Sequence, residues 1–268
     1  MTAALPGRSP MDRPEPRDPG DARVVFGRRP VLELLRSGRP VDRLWVAEGA
    51  QGVEPLVALA RSRAIPVQRV PREVLRRLCG SERHQGVAAR AAPVPFVPIE
   101  ELLGPADAGA GEAAAEERLL LVLDHLMDPH NVGALLRTAE AVGVTGVVMA
   151  ARRGAPITPA VERASAGAVH HLRLSRVSSV AEGVARIKEA GFWVVGADPS
   201  APSSLWEADL RGPLAVVVGA EGKGISPLVR RRCDLLVRIP MWGRVGSLNA
   251  SVAGALVLYE IRRRRAVR

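Results

Sequence analysis

Three short stretches in the second half of the chain hold most of the residues able to do chemistry. The first follows an apolar run ending at Leu123; it carries Asp128, Pro129, Asn131 and Gly133, with Arg137 one to two helical turns further on. The second runs from Gly219 to Gly224 after the apolar Leu214–Val218, and sets Glu221 and Lys223 among the glycines Gly219, Gly222 and Gly224. The third leads from Ile239 and Met241 to Ser247, Leu248 and Asn249. In each, an apolar strand gives way to a helix. In an open parallel α/β sheet such places share one carboxyl edge, where ligands bind. Three loops rich in Gly, Asn, Glu, Ser and Arg therefore read as one composite site.

The first loop has a helix start, with Asp128 as N-cap and Pro129 at the first helical position. That places Asn131 in the first turn, at the positive end of the helix dipole. Gly133 allows a close approach. Arg137 reads equally as a site residue or as a surface arginine paired with Glu140. The second loop is not a phosphate loop. Lys223 is followed by Gly224 rather than Ser or Thr, and a valine stands where the first glycine is needed. What remains is a strand end able to take unusual dihedrals and approach a flat ligand closely. Glu221 is either solvated or part of the site. In the third loop Ser247 reads as the N-cap of the last helix, with Asn249 in its first turn. That helix carries Leu248, Val252, Ala255, Leu256 and Tyr259 at helical spacing, a stripe that suits a core or the face of another subunit. Arg262 to Arg265 close it as a basic cluster, either solvated or in contact with phosphate.

Composition narrows the chemistry. The chain has 268 residues, 47% hydrophobic, with a formal net charge of +10. That excess points to a polyanionic partner, most simply nucleic acid. Lys188 and Lys223 are the only lysines, so codon bias explains Arg over Lys but not the excess itself. Aromatics at 3% are too few for a base-stacking platform, so RNA contact would rest on Arg, backbone amides and shape. No run approaches a membrane span and no apolar signal core opens the chain, so a cytoplasmic protein is expected. Cys79, Cys233 and five histidines fit neither a disulfide framework nor a metal site.

The elements that must position these loops follow from periodicity. Residues 1–23 are Pro-, Arg- and Asp-rich and read as a disordered tail. Residues 24–97 alternate helices (28–36, 53–63, 72–78) with strands (44–47, 66–70, 86–92), which makes a small three-layer α/β unit. Residues 98–117 read as a linker with one short helix at 99–103. From residue 118 to 268 strands are expected at 119–123, 146–149, 172–175, 192–197, 214–218 and 235–239. Helices are expected at 131–142, 159–166 and 178–190, and from 226 and 247. This is βα alternation with a parallel sheet.

At the three loops the chain resembles the SpoU (TrmH-like) family of RNA 2′-O-ribose methyltransferases in the SPOUT superfamily. Its signature motifs correspond to Asp128–Gly133 with Arg137, to Gly219–Gly224, and to Ile239–Met241 with Ser247–Asn249. The preceding unit resembles the L30e-like substrate-binding domain, through Phe26–Leu35 and His84–Arg90. The pair is similar to bacterial enzymes that methylate a guanosine ribose in the peptidyl-transferase region of 23S ribosomal RNA. The resemblance implies a trefoil-knotted α/β methyltransferase domain after a small L30e-like domain. It implies a homodimer with the active site near the interface. It further implies S-adenosylmethionine bound by Gly219, Glu221, Gly222, Gly224, Ile239, Met241, Ser247 and Leu248, with no metal. Asn131, Arg137, Glu221, Ser247 and Asn249 are its catalytic candidates. Arg137 would serve as base or, since an ordinary Arg is a poor base, as a positioning and charge-stabilising group. Arg28, Arg29, Arg72, Arg76, Arg77, Arg83 and Arg90 are candidate RNA contacts. A tRNA ribose methyltransferase, an antibiotic-resistance rRNA methyltransferase and a non-catalytic ribosome-assembly factor are the alternatives.

Overall fold

The computed structural model describes residues 23–104 and 117–266. Most of the expected N-terminal tail and of the linker lies outside these residues. The larger part is built on a seven-stranded parallel sheet. Its strands are β5 (Leu119–Asp124), β6 (Gly146–Ala150), β7 (Leu174–Val177), β8 (Trp193–Ala197), β9 (Ser203–Ser204), β10 (Leu214–Gly219) and β11 (Leu235–Arg238). They are ordered β7-β6-β5-β10-β8-β11-β9. Every residue of β5, β6 and β10 is buried, as a parallel sheet covered on both faces requires.

Alternation along the strands sorts the core into two layers. Leu119, Leu121, Leu123, Val216 and Val218 face one way, onto Leu135 and Leu136 of α5 (Pro129–Ala141) and Val257, Leu258 and Ile261 of α9 (Ala250–Ala266). Leu120, Val122, Ala215 and Val217 face the other way, onto Val184 and Ile187 of α7 (Val180–Glu189) and Val229 of α8 (Pro227–Arg232). Two glycines set how close the first layer lies. A Cβ on Gly254 would stand 2.5 Å from Leu135 Cδ2 and 2.9 Å from Val218 Cγ2. A Cβ on Gly133 would overlap Ala164 and stand 2.9 Å from Ser165 N, so the close approach expected there is made by α6 (Pro159–Ala164).

The smaller sheet is four-stranded, with order β1-β4-β2-β3. It comprises β1 (Arg23–Phe26), β2 (Val41–Ala47), β3 (Val67–Val70) and β4 (Val87–Ala91). The helices α1 (Arg28–Arg36), α2 (Glu54–Ser62) and α3 (Arg72–Cys79) cover it. Strand β1 was not foreseen: four residues after a Pro- and Asp-rich stretch carry no periodic signal, and only pairing with β4 makes them a strand. Arg23, assigned to the tail, is its first residue.

Residues 94–103 belong with the larger sheet. Val94 is in its core, Phe96 bridges to Leu174, and α4 (Ile99–Leu103) buries Ile99 and Leu102. Leu102 would collide with any side chain at Gly146. The two parts also meet directly. The Arg39 guanidinium lies 2.5 Å from His170 Nδ1 and donates to the carbonyls of Ala92 and Pro93 at 2.7 and 2.6 Å. Arg163 stacks over Phe26 at 4.5 Å.

The last helix departs from expectation at both ends. It begins at Ala250 rather than Ser247, and its closing arginines are neither plainly solvated nor free for phosphate. Arg262 donates to Val142 O, Arg264 to the carbonyls of Leu205, Trp206 and Ala208, and Arg265 to Gly212 O. They serve as carbonyl clamps that hold α9 down. No helix among the described residues is long and apolar enough to cross a membrane.

Candidate active site

Strands β5 and β10 are neighbours in register, with Leu123 opposite Val218 and Asp124 opposite Gly219. The first two loops therefore leave the sheet side by side. On the far side of β10 come β8 and then β11, which delivers the third loop. The sheet runs β5-β6-β7 in one direction and β10-β8-β11 in the other, so the loops gather at a switch point of the kind that binds ligands.

Asp128 caps α5 as expected, accepting from the backbone N–H of His130 at 3.2 Å and of Asn131 at 3.1 Å. This fixes Asn131, which is buried. The third loop is capped differently from the expectation. Ser247 is exposed and makes no cap, while Asn249 Oδ1 accepts from Ser251 N at 2.9 Å, Ser251 Oγ at 2.6 Å and Val252 N at 3.4 Å. Both residues are good N-caps; the helix starts after the second, because only there does Oδ1 reach the free first-turn N–H groups.

That cap has a chemical consequence. With Oδ1 committed to the helix, Asn249 must turn its Nδ2 outward. It donates to Asn131 Oδ1 at 2.9 Å and to Glu221 Oε1. Three residues from three loops, 118 positions apart at the extreme, thus form one hydrogen-bonded cluster. No protein partner among the described residues takes Asn131 Nδ2 or Glu221 Oε2. The cluster therefore offers an incoming ligand one amide donor and one carboxylate acceptor.

The second loop turns back on itself: Ala220 N donates to Gly224 O at 3.1 Å and Gly224 N to Ala220 O at 2.8 Å. Gly222 and Gly224 have φ of 71° and 65°, a left-handed conformation that glycine takes without strain, and open space surrounds both. Gly219 is needed for another reason, since a Cβ there would overlap the backbone of Gly224 and Ile225. The third loop has no regular structure from 239 to 249. Ile239 and Leu248 are half-buried and Met241 is exposed.

Arg137 stands apart. It is exposed on α5 with no hydrogen bond or ion pair among the described residues, including to Glu140. The structure thus brings Asn131, Glu221 and Asn249 together but does not join Arg137 or Ser247 to them.

Asp124 went unnoticed in the sequence. Almost fully buried, it accepts from Ser226 N at 2.6 Å and lies 2.6 Å from His125 Nδ1. It pins the exit of the second loop to the first. A carboxylate closing the otherwise apolar run Leu119–Leu123 was the available signal. The cysteines offer no thiolate chemistry, since burial pushes Cys79 up to about 11 and Cys233 up to about 12. Among the described residues no group of His, Cys, Asp and Glu could hold a metal.

In the smaller part, Arg28 is occupied with the carbonyls of Gln51, at 2.6 Å, and Gln85. Arg76 and Arg77 pair with Glu73, and Arg90 lies 3.9 Å from Asp42. Arg29, Arg72 and Arg83 are exposed with no ion pair among the described residues.

Known proteins resemble the chain in sequence and in fold. Residues 118–259 match the model of the SpoU rRNA Methylase family, and residues 24–97 that of the RNA 2′-O ribose methyltransferase substrate binding family. A putative TrmH family tRNA/rRNA methyltransferase of Bacillus subtilis is 41% identical over 243 residues, covering 90% of this chain and 95% of its own. The SpoU methyltransferase AviRb from Streptomyces viridochromogenes, in complex with the cofactor AdoMet, superposes with a TM-score of 0.76 at 26% identity, covering 93% of this chain and 92% of that one. A structure concerned with 2-OH methylation of C/U34 on tRNA is 31% identical with a TM-score of 0.52. It covers 98% of its own chain but 56% of this one.

Proposed function

The chain belongs to the SpoU rRNA methylase family, and from that premise we propose that it moves a methyl group from S-adenosylmethionine to a ribose 2′-oxygen of ribosomal RNA. The acceptor we favour is a guanosine in the peptidyl-transferase region of 23S rRNA. The observation that carries the reading is the Asn131–Asn249–Glu221 cluster where the three loops meet.

The residues fit the cofactor. Open backbone at Gly222 and Gly224, the irregular third loop with Ile239, Met241 and Leu248, and the Glu221 carboxylate suit a flat base and a sulfonium cation. When bound, the cofactor supplies a methyl group activated by that sulfonium. The chain's work is positional. Asn131 Nδ2 and Glu221 Oε2 would orient the ribose so that its 2′-oxygen faces the methyl group the cofactor would supply. The hydroxyl proton leaves toward Arg137 or the RNA phosphate beside it. Arg137 holds negative charge at the oxygen more readily than it accepts a proton, because a guanidinium carries N–H donors and no acceptor.

Arg137 is not joined to the cluster within one chain, and this supports a homodimer that completes the site. A surface for it exists: Val252, Leu256 and Tyr259 of α9 are 46%, 38% and 54% exposed. Residues 24–97 would select the RNA through Arg29, Arg72 and Arg83. Their presence favours rRNA, because the tRNA-related chain above matches little more than half of this one. A cytoplasmic location accords with such an acceptor.

The test is transfer of labelled methyl to ribosomal RNA and tRNA from a strain lacking this protein, with and without EDTA. Label in a single 2′-O-methylguanosine of 23S rRNA, insensitive to EDTA, is the expected result. Label in tRNA alone would move the acceptor to tRNA. Cofactor binding absent at millimolar concentration, with RNA still bound, would leave an assembly factor.

A further inference from the structure

A cavity of about 770 Å³ opens beside the cluster, on the flank away from the third loop. It lies over the ends of β5, β6 and β7, whereas β8 and β11, which lead to the third loop, lie beyond β10. Its wall includes Asn131 and Glu221, but no residue of 239–249. The cluster thus stands between the third loop and this cavity, while the second loop borders both, lining the cavity through Ala220, Glu221, Lys223 and Gly224. In-line transfer needs that disposition, because donor sulfur and acceptor oxygen must approach the methyl carbon from opposite sides.

The lining has the chemistry of a nucleotide site. Its volume falls within the roughly 300–1,000 Å³ of ligand pockets. Leu126, Val180 and Val229 make a buried apolar floor, while Met127 and Leu228 stand 67% and 47% exposed at the mouth. Arg153 and Lys223 line it as well, both exposed and neither with a carboxylate partner among the described residues. The first turn of α7 faces the same space, and its N–H groups favour an anion; only that of Glu182 is taken, by Ser179 Oγ at 3.3 Å. Two of the five non-glycine residues with left-handed backbone among the described residues, His125 at φ 57° and Arg153 at φ 56°, also sit on this wall. Backbone strain of this kind gathers at ligand sites.

We propose that this cavity seats the RNA nucleotide that carries the target ribose, its base between Met127 and Leu228 and a phosphate against Arg153 and Lys223. The inference rests on the methyl-transfer reading above and assigns its acceptor subsite. With few aromatics in the chain, apolar jaws replace stacking rings.

The experiment compares full-length wild type with Arg153→Gln, Lys223→Gln and Ser178→Trp, using the RNA that wild type methylates. Arg152→Gln, one residue away and not on the cavity wall, is the control. Each cation variant should raise KM for RNA about tenfold, the loss expected for one charge-assisted contact. Each should also flatten the salt dependence of RNA binding by about 0.7 in log–log slope, the value for one phosphate contact on a single strand. Ser178 is exposed at the mouth, so the Trp variant should fold, bind S-adenosylmethionine with wild-type affinity and lose transfer. Unchanged KM and slope in both cation variants, with an active Ser178→Trp, would overturn the proposal while leaving the methyltransferase reading intact. Wild type that binds the cofactor but methylates neither rRNA nor tRNA would defeat that reading, and the subsite with it.

Discussion

Replacing Asn249 separates its two roles, which the structure makes calculable. As N-cap of α9 its Oδ1 satisfies first-turn N–H groups, and Asn249→Ala forfeits about 1 kcal/mol for that. Its Nδ2 is the donor to Asn131 Oδ1, and Asn131 is 6% exposed, so truncation leaves a buried acceptor unpaired at about 1.5 kcal/mol. The sum is about 2.5 kcal/mol, which for a part of this size lowers Tm by about 5–10 °C. Asn249→Ser keeps a capping oxygen but cannot span to Asn131 and Glu221, so it should lose only about 3–6 °C. Both variants should lose most of their methyl transfer, because Asn131 and Glu221 are no longer held together. Thermal unfolding by circular dichroism, run without cofactor, supplies the stabilities. Equal losses in the Ala and Ser variants would show that the cap contributes nothing. An Ala variant within about 0.5 kcal/mol of wild type, inside ordinary surface scatter, would refute both assignments.

Three further outcomes are expected. Arg137→Ala should abolish transfer while leaving cofactor affinity within a factor of about two, since Arg137 touches none of the loops assigned to the cofactor; turnover near wild type, measured beside calorimetric binding, would remove it from the mechanism. Arg29→Ala, Arg72→Ala and Arg83→Ala should each flatten the salt dependence of RNA binding by about 0.7–0.9 in slope without altering Tm. Arg28→Ala should instead lower Tm, because it clamps the carbonyls of Gln51 and Gln85. Glu162, buried among Arg39, Arg23 and Arg163, has its carboxyl pushed up to about 7 by burial. The folded state therefore keeps a proton that the unfolded chain has lost, and stability falls as pH rises from about 4.5 to 7 before levelling off. Glu162→Gln should remove that dependence and stabilise the protein at pH 8 by about 2–3 kcal/mol; urea unfolding at pH 5 and pH 8 decides, and an undiminished slope in the variant would assign it to other groups.

Some features were legible in single stretches of sequence, because their causes are local. Strands β5 and β10 announce themselves as unbroken apolar runs, since a strand buried on both faces has no polar side. The start of α5 is written in Asp128 and Pro129, because capping involves only residues within one turn. The loop from Gly219 to Gly224 could be separated from a phosphate loop by spacing alone. The family itself was legible through the resemblance of three motifs, Asp128–Gly133 with Arg137, Gly219–Gly224 and Ile239–Met241 with Ser247–Asn249, to its signatures.

Other features depend on which strands become neighbours. Ser247 and Asn249 are equally good caps by residue type. Only the packing of α9 on α5 and β10 through Gly254 decides which one meets the free N–H groups, and hence that Asn249 presents Nδ2 to Asn131 and Glu221. The stripe Val252, Leu256 and Tyr259 has the period of a core face, yet it points outward, because the face bearing Gly254, Val257, Leu258 and Ile261 lies against the sheet. Asp124 is one more residue of an apolar strand until β10 comes alongside and brings Ser226 N to it. The closing arginines look like a nucleic-acid patch in sequence but act as clamps on carbonyls that distant loops bring to them. Composition and periodicity record what each segment can bury. Insertion of β10 between β5 and β8 decides what each buried or polar group then meets.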